Sequence, residues 1–308
     1  MKPSQWLAII VASIGWASGG IATRAAFNEG VDAWTMIAFR VFFAAVLVGA
    51  VVLIRRVPMP SKIVLGYGLT QAVFNLTVPY VLFTFAYDEA SAGFVGLLTA
   101  LIPLSTAVAA NFMLPDEPLS KGKLAGLLVA FSGVAFLLLS GDSGLSEGGR
   151  PLVAVGLGIT AVTSVGFAAA FGKRHAGSYN PSMMTGLQFG FSAIWLLAAM
   201  VVVDGVPTDV SARGWQLIVL MATLATFVPF MLYYWLLERV SATNVSLTGY
   251  LVPLIVLIAG LVLLDEELQL GIVIGGLLVF AGLVISDRTS RRSRSTVAPE
   301  VAETWPTG

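Results

Sequence analysis

Residues 91–104, SAGFVGLLTALIPL, and residues 241–254, SATNVSLTGYLVPL, are two copies of one segment set 150 positions apart. Ser91/Ser241, Ala92/Ala242, Val95/Val245, Leu97/Leu247, Leu101/Leu251, Pro103/Pro253 and Leu104/Leu254 are identical, seven of 14 positions. The same offset pairs Pro79 with Pro229, Glu117 with Glu267, and the GLLV run at 126–129 with that at 276–279. One constant offset across separate stretches marks an internal repeat of the whole chain. Both copies are nearly free of charge, so each must be buried in protein or in lipid.

Composition decides for lipid. Of 308 residues, 57% are hydrophobic and 11% charged, and the mean hydropathy is +0.90. Soluble domains carry about 25% charged residues, and a water-soluble fold of this size has nowhere to put so much apolar surface. Lys+Arg and Asp+Glu are both 17, which gives no electrostatic footprint for nucleic acid, and the absence of cysteine removes thiolate metal sites and Cys nucleophiles. A membrane-crossing helix needs about 20 mostly apolar residues. Ten stretches qualify: 5–26, 34–54, 64–86, 90–113, 121–140, 152–172, 182–203, 214–237, 241–264 and 269–287. The third and fourth are split at residues 87–89, because Asp88 and Glu89 would otherwise sit unpaired in mid-bilayer. The first is read as a span and not a signal peptide, since Arg24 occupies the expected cleavage region.

The basic residues set the orientation. With the amino terminus on one side, that side carries Lys2, Arg55, Arg56, Lys62, Lys121, Lys123, Lys173, Arg174, Arg239, Arg288, Arg291, Arg292 and Arg294. The other side carries only Arg150 and Arg213, while Arg24 and Arg40 lie within spans. By the positive-inside rule both termini are expected in the cytoplasm, and the protein in the cell's inner membrane. The chain thus reads as an all-α integral membrane protein of ten transmembrane helices in two five-helix repeats. The repeats are residues 1–140 and 152–287, joined by an extracytoplasmic linker at 141–151 and followed by a cytoplasmic tail, 288–308, expected to be disordered. Five is odd, so the two copies enter the membrane in opposite directions. Inverted repeats of this kind are typical of secondary transporters, in which two halves rock about a central site.

Gly15-Trp16 in the first span, and the spacing from Pro103 to Glu117 and from Pro253 to Glu267, each followed by a Gly-rich span, resemble the drug/metabolite transporter superfamily. Within it the chain is most similar to the EamA-type permeases, over residues 5–288. That resemblance implies an exporter of amino acids or other small metabolites. Arg24 stands near where many members have a Lys, so the positive charge is kept.

A transport site is expected near the bilayer midplane, where polar side chains are costly. Halfway along the spans lie Trp16, Ser18, Asn75, Thr77, Thr99, Thr163, Ser164, Thr226, Thr248 and Tyr250. Asn75 carries the most weight, as a full amide in an apolar helix; a Ser or Thr can bond to its own helix instead. Pro79, Pro103, Pro229 and Pro253 each expose a carbonyl one turn earlier and are expected as hinges or cavity walls. Arg40, about seven residues and hence roughly 10 Å into the second span, is a candidate outer gate pairing with Asp88 or Glu89. Glu117 and Glu267 suit helix N-termini, where a carboxylate complements the dipole.

No carboxylate sits at mid-depth, and no Lys or Arg is expected at the centre, so a neutral or zwitterionic small molecule fits best. Protons are a candidate coupling ion only through carboxylates at the helix ends. No cofactor is expected, and the oligomeric state, direction and substrate stay open. The GLSEG run at 144–148 matches a nucleophile-elbow pattern but lies in a linker, and His175, the single histidine, lies on the cytoplasmic side. An integral-membrane enzyme is therefore the weaker alternative. A lipid flippase or non-transporting scaffold is the other.

Overall fold

The computed structural model of the protein describes residues 2–115, 118–141, 144–145, 149–237, 239, 248–264 and 269–297. Helices begin where the sequence offers a side chain that can take up an orphan backbone N–H. Asp32 caps α2 (Ala33–Ile54) by accepting from the Thr35 amide at 2.7 Å. Ser61, Ser91 and Ser120 do the same for α3 (Lys62–Glu89), α4 (Ala92–Met113) and α5 (Lys121–Ser140). Asn180 caps α7 (Pro181–Val203) and Ser211 caps α8, built from Ala212–Ala222, Thr223–Phe227 and Val228–Leu237 in unbroken succession. The other starts, α1 (Pro3–Asn28) and α6 (Pro151–Arg174), place proline in the first turn, where a missing N–H costs nothing. The set closes with α9 (Thr248–Leu263) and α10 (Leu270–Val297).

Eight of these are long and apolar enough to cross a membrane, and the apolar parts of α9 and α10 are shorter. The expected break between the third and fourth spans is present: Ala90 is extended, with φ −152°, and Ser91 starts a new helix. One expectation is corrected. α10 continues past Asp287 to Val297, so the first ten residues of the segment expected to be disordered are helical. A formed helix gains one hydrogen bond for each residue added, and nothing from Arg288 to Val297 is Pro or Gly. Residues 298–308 lie outside the described residues.

The repeats run in opposite directions, as the odd count requires. Between α5 and α10 a methyl built on Gly126 would lie 2.5 Å from the Gly282 carbonyl oxygen, and one on Gly133 would lie 2.6 Å from that of Gly275. Contacts that climb one helix descend the other, so these equivalent helices are antiparallel and their backbones touch. α4 and α9 repeat the pattern, Gly96 against Val256 and Pro103 against Gly249.

The bundles that result are not the sequence repeats. α1 and α2 pack with α8 and α9, whereas α6 and α7 pack with α3 and α4. Each four-helix group takes two helices from each repeat and maps onto the other group when the repeats are exchanged. α2 meets α7 and α4 meets α9 across the junction, and the α5–α10 pair stands beside them. At the membrane face opposite the amino terminus, α1 and α2 touch α3 and α4.

Candidate functional site

α3 and α8 are each interrupted at mid-length by a wider, π-helical turn: Ala72–Thr77 in α3 and Thr223–Phe227 in α8. Two residues beyond each turn stands a proline, Pro79 or Pro229, whose missing N–H and bulky ring disfavour the ordinary i−4 bond. The extra residue in each turn relieves that clash and turns carbonyls outward, a feature found often at functional positions. Of the other two prolines, Pro103 follows a break at Ala100–Leu101 that splits α4, whereas Pro253 lies inside a continuous α9.

Side chains of the opposite repeat take up the exposed groups of α3. Ser164 donates to the Phe74 carbonyl at 2.7 Å, Ser192 to that of Ala72 at 3.0 Å. Thr77 donates to the Ser192 hydroxyl at 2.9 Å and accepts from the Trp195 indole at 2.6 Å. Asn75 donates its amide to Gln188 at 3.0 Å, and Gln71 donates to the Ala168 carbonyl at 2.9 Å. Every one of these bonds joins the first repeat to the second.

α8 mirrors the arrangement with different chemistry. Arg40 lies eight residues after the cap Asp32, as Gln188 lies eight after the cap Asn180, so the two occupy equivalent places. Where Gln188 meets Asn75, Arg40 donates from Nε to the Thr226 hydroxyl at 2.9 Å and from Nη2 to the Ala225 carbonyl at 3.5 Å. Ala225 is the residue four before Pro229, whose carbonyl the ring frees. The guanidinium also lies 4.6 Å from the centroid of the Tyr80 ring. Where Ser164 reaches Phe74, Gly15 lets α1 come up against α8: a methyl there would lie 2.6 Å from the Leu224 carbonyl oxygen and 2.5 Å from Pro229. Trp16 beside it packs edge-on to Phe230 and Tyr233.

Several sequence candidates fall elsewhere. Thr163 is exposed and donates to the Ile159 carbonyl of its own helix, so it faces away from this cluster, while Ser164, one residue on, faces in. Ser18 and Thr99 likewise bond within their helices, to Gly15 and Gly96. Thr248 is buried on α9, and the Tyr250 side chain lies outside the described residues. Glu117 and Glu267 lie outside them as well. Among the described residues the expected gate pairing is not formed: Glu89 engages Arg150 at the start of α6, and Arg40 points inward to α8. The side chain's length, added to its depth in α2, carries the charge to the middle of α8. That also corrects the expectation of a centre without a cation. Gln188, Gln71, Ser192, Trp195 and Tyr80 were not singled out by sequence; the rule that picks Asn75, an amide in an apolar helix, finds Gln188 too.

Two titratable groups at the end opposite the amino terminus are shifted, each beside a charged neighbour. The Glu89 hydrogen bond and charge, with Asp88 adding to them, raise the pKa of Arg150. The Asp204 carboxyl is held above its ordinary value, first by lost hydration, then by its hydrogen bond to Asp32 and that neighbour's charge. A depression of about 490 Å³ lined by residues 111–115, Lys173 and Arg174 lies at the amino-terminal face, away from the mid-depth cluster.

Among the described residues, ten helices in two antiparallel repeats, with α3 and α8 interrupted at mid-depth where polar side chains cross between the repeats, have the architecture of a multi-pass membrane transporter. The EamA-like transporter family profile matches residues 4–139 and again 152–286, and the chain belongs to that family. It is 22% identical over 292 residues to the uncharacterized transporter YoaV of Bacillus subtilis, covering 94% of this chain and 98% of the relative. It is 27% identical over 218 residues to an uncharacterized transporter of Archaeoglobus fulgidus, 69% of this chain and 74% of that one. Protein PecM of Dickeya dadantii is 24% identical over 254 residues, 79% of this chain and 84% of PecM. A protein of known crystal structure shares the fold, with a TM-score of 0.64 at 18% identity over 95% of this chain and 99% of its own.

Proposed function

We propose that the protein is an alternating-access carrier of the inner membrane, with both termini cytoplasmic, that exports a small zwitterionic or neutral metabolite such as an amino acid. The observation that carries this reading is the pair of mid-depth breaks in equivalent helices, Ala72–Thr77 in α3 and Thr223–Phe227 in α8, where side chains of one repeat bond to the opened turn of the other, as in inverted-repeat carriers built around a central site. At the face opposite the amino terminus the contacts of α1 and α2 with α3 are specific. Arg24 donates to the Tyr87 carbonyl at 2.7 Å, the Tyr87 ring fills the space above Gly20, and Trp34 packs edge-on to Phe85. The moving bodies are the two mixed four-helix groups. Trp16, Asn75, Thr77 and Thr226 lie at mid-depth around the broken helices, with Pro79 and Pro229 as hinges. The positive-inside distribution supports the orientation, and the resemblance to metabolite exporters supports the direction and substrate.

Counterflow in proteoliposomes tests the proposal. Vesicles loaded with one unlabelled amino acid at a time are offered the labelled compound outside, with wild type beside Asn75→Ala. Accumulation of label with a subset of amino acids, reduced by Asn75→Ala, is the expected result. No counterflow with any amino acid, from folded protein, removes that substrate class and turns the search to other neutral metabolites and to lipids.

A further inference from the structure

We propose that Arg40 is the anion anchor of the transport site, so that the substrate carries a carboxylate and is not a neutral molecule. The inference rests on the carrier reading and narrows it. An arginine inside a membrane protein is costly unless its charge is answered. Here the guanidinium has only neutral partners among the described residues: the Thr226 hydroxyl, the Ala225 carbonyl and the Tyr80 ring. The ion pairs shown among those residues, Arg150 with Glu89 and Arg213 with Glu29, are at the membrane face opposite the amino terminus and leave Arg40 aside. A planar guanidinium is built to bind a carboxylate through two parallel hydrogen bonds.

The guanidinium is not sealed in, since Arg40 is only half-buried, and α1 comes close to it. Gly19 of α1 faces the guanidinium, and a methyl there would lie 3.1 Å from Nη2 and 3.3 Å from the Ala225 side chain. Thr226 is fully buried and also departs from its neighbours. Thr99, Thr163 and Thr223 donate to a carbonyl of their own helix, whereas the Thr226 oxygen is held by Arg40. Broken symmetry points the same way. At the equivalent place in α7 stands a neutral amide, Gln188, already bonded to Asn75, so the cation is not required by the packing of the fold. The site therefore has a charged pole at α2–α8 and a neutral amide pole at α7–α3.

The experiment is counterflow with three forms of each compound that the wild-type protein carries: the amino acid, its carboxamide and its decarboxylated amine. Wild type should prefer the acid. Arg40→Gln should raise the half-saturation concentration for the acid relative to that for the amide about ten- to a hundred-fold, the size of a lost charge-assisted hydrogen bond. Arg40→Lys should fall between, and Gly19→Ala should weaken the acid selectively with the charge intact. A purely structural Arg40 would instead scale acid and amide together, and that result overturns the proposal, as does a wild type indifferent to the carboxylate. If no amino acid shows counterflow, the amino-acid part of the proposed function fails by itself. Thermal stabilisation of the detergent-solubilised protein then decides the anchor: acid-selective stabilisation lost in Arg40→Gln upholds it, and stabilisation without acid selectivity sinks it.

Discussion

Asn75 and Gln188 share one hydrogen bond across the repeats, and the Gln188 amide nitrogen is buried with no partner among the described groups. Removing Asn75 therefore does more than delete a bond. It leaves the Gln188 carbonyl oxygen unpaired as well, a desolvation cost of about 1–3 kcal/mol where no water enters. Asn75→Ala should lower thermal stability in detergent by about that amount, whereas Asn75→Ala combined with Gln188→Met should regain much of it, because an apolar pair needs no partner. If transport is lost in both variants, Asn75 acts on substrate as well as on packing. Equal stability of Asn75→Ala and wild type would mean that water already fills the pocket. The same residue shows what a sequence can disclose. Its amide in an apolar helix was conspicuous, but its partner lies 113 positions away. Arg40 was visible as a charge in a span, but its direction was not, since depth along α2 says nothing of helix tilt or side-chain rotamer.

Proline made the broken elements legible, and the repeat showed that they come in pairs. The form of the break was not legible: Pro79 and Pro229 follow π-helical turns, Pro103 follows a short break, and Pro253 lies within a continuous helix. Which of these forms depends on what receives the freed carbonyls, and that is set by the opposite repeat. At α8 the receiver of the Ala225 carbonyl is Arg40. Pro229→Ala would supply a backbone N–H for that same carbonyl, in competition with the guanidinium. Interior proline costs a helix about 3 kcal/mol, so the variant should be at least as stable as wild type. Its counterflow rate should nevertheless fall, because a regular α8 no longer flexes and Arg40 loses a tie. An unchanged rate at unchanged stability would show that the wide turn is not a hinge.

The capped starts, the ten spans and the inverted repeat follow from apolar run length, Ser/Asp/Asn caps and a constant offset, all local properties of the chain. How the helices sort into groups is not local. Each bundle takes two helices from each repeat, so a pattern that divides the sequence at 141–151 does not divide the two bodies proposed to move. This has a mechanical consequence. Links within one mixed group should be tolerated, and links between groups at either face should stop transport. The native chain has no cysteine, so introduced pairs report cleanly. Gly20→Cys with Tyr87→Cys joins α1 to α3 at the face opposite the amino terminus, across the gap that the Tyr87 ring now fills. Bridging that pair with a bifunctional thiol reagent long enough to replace the ring should abolish counterflow, and a cleavable reagent should restore it on reduction. Ala8→Cys with Leu236→Cys, which lie together where α1 meets α8 inside one group, should bridge without loss of transport. If instead the α1–α8 bridge stops the cycle and the α1–α3 bridge does not, the repeats themselves are the rigid bodies and the mixed grouping describes packing alone.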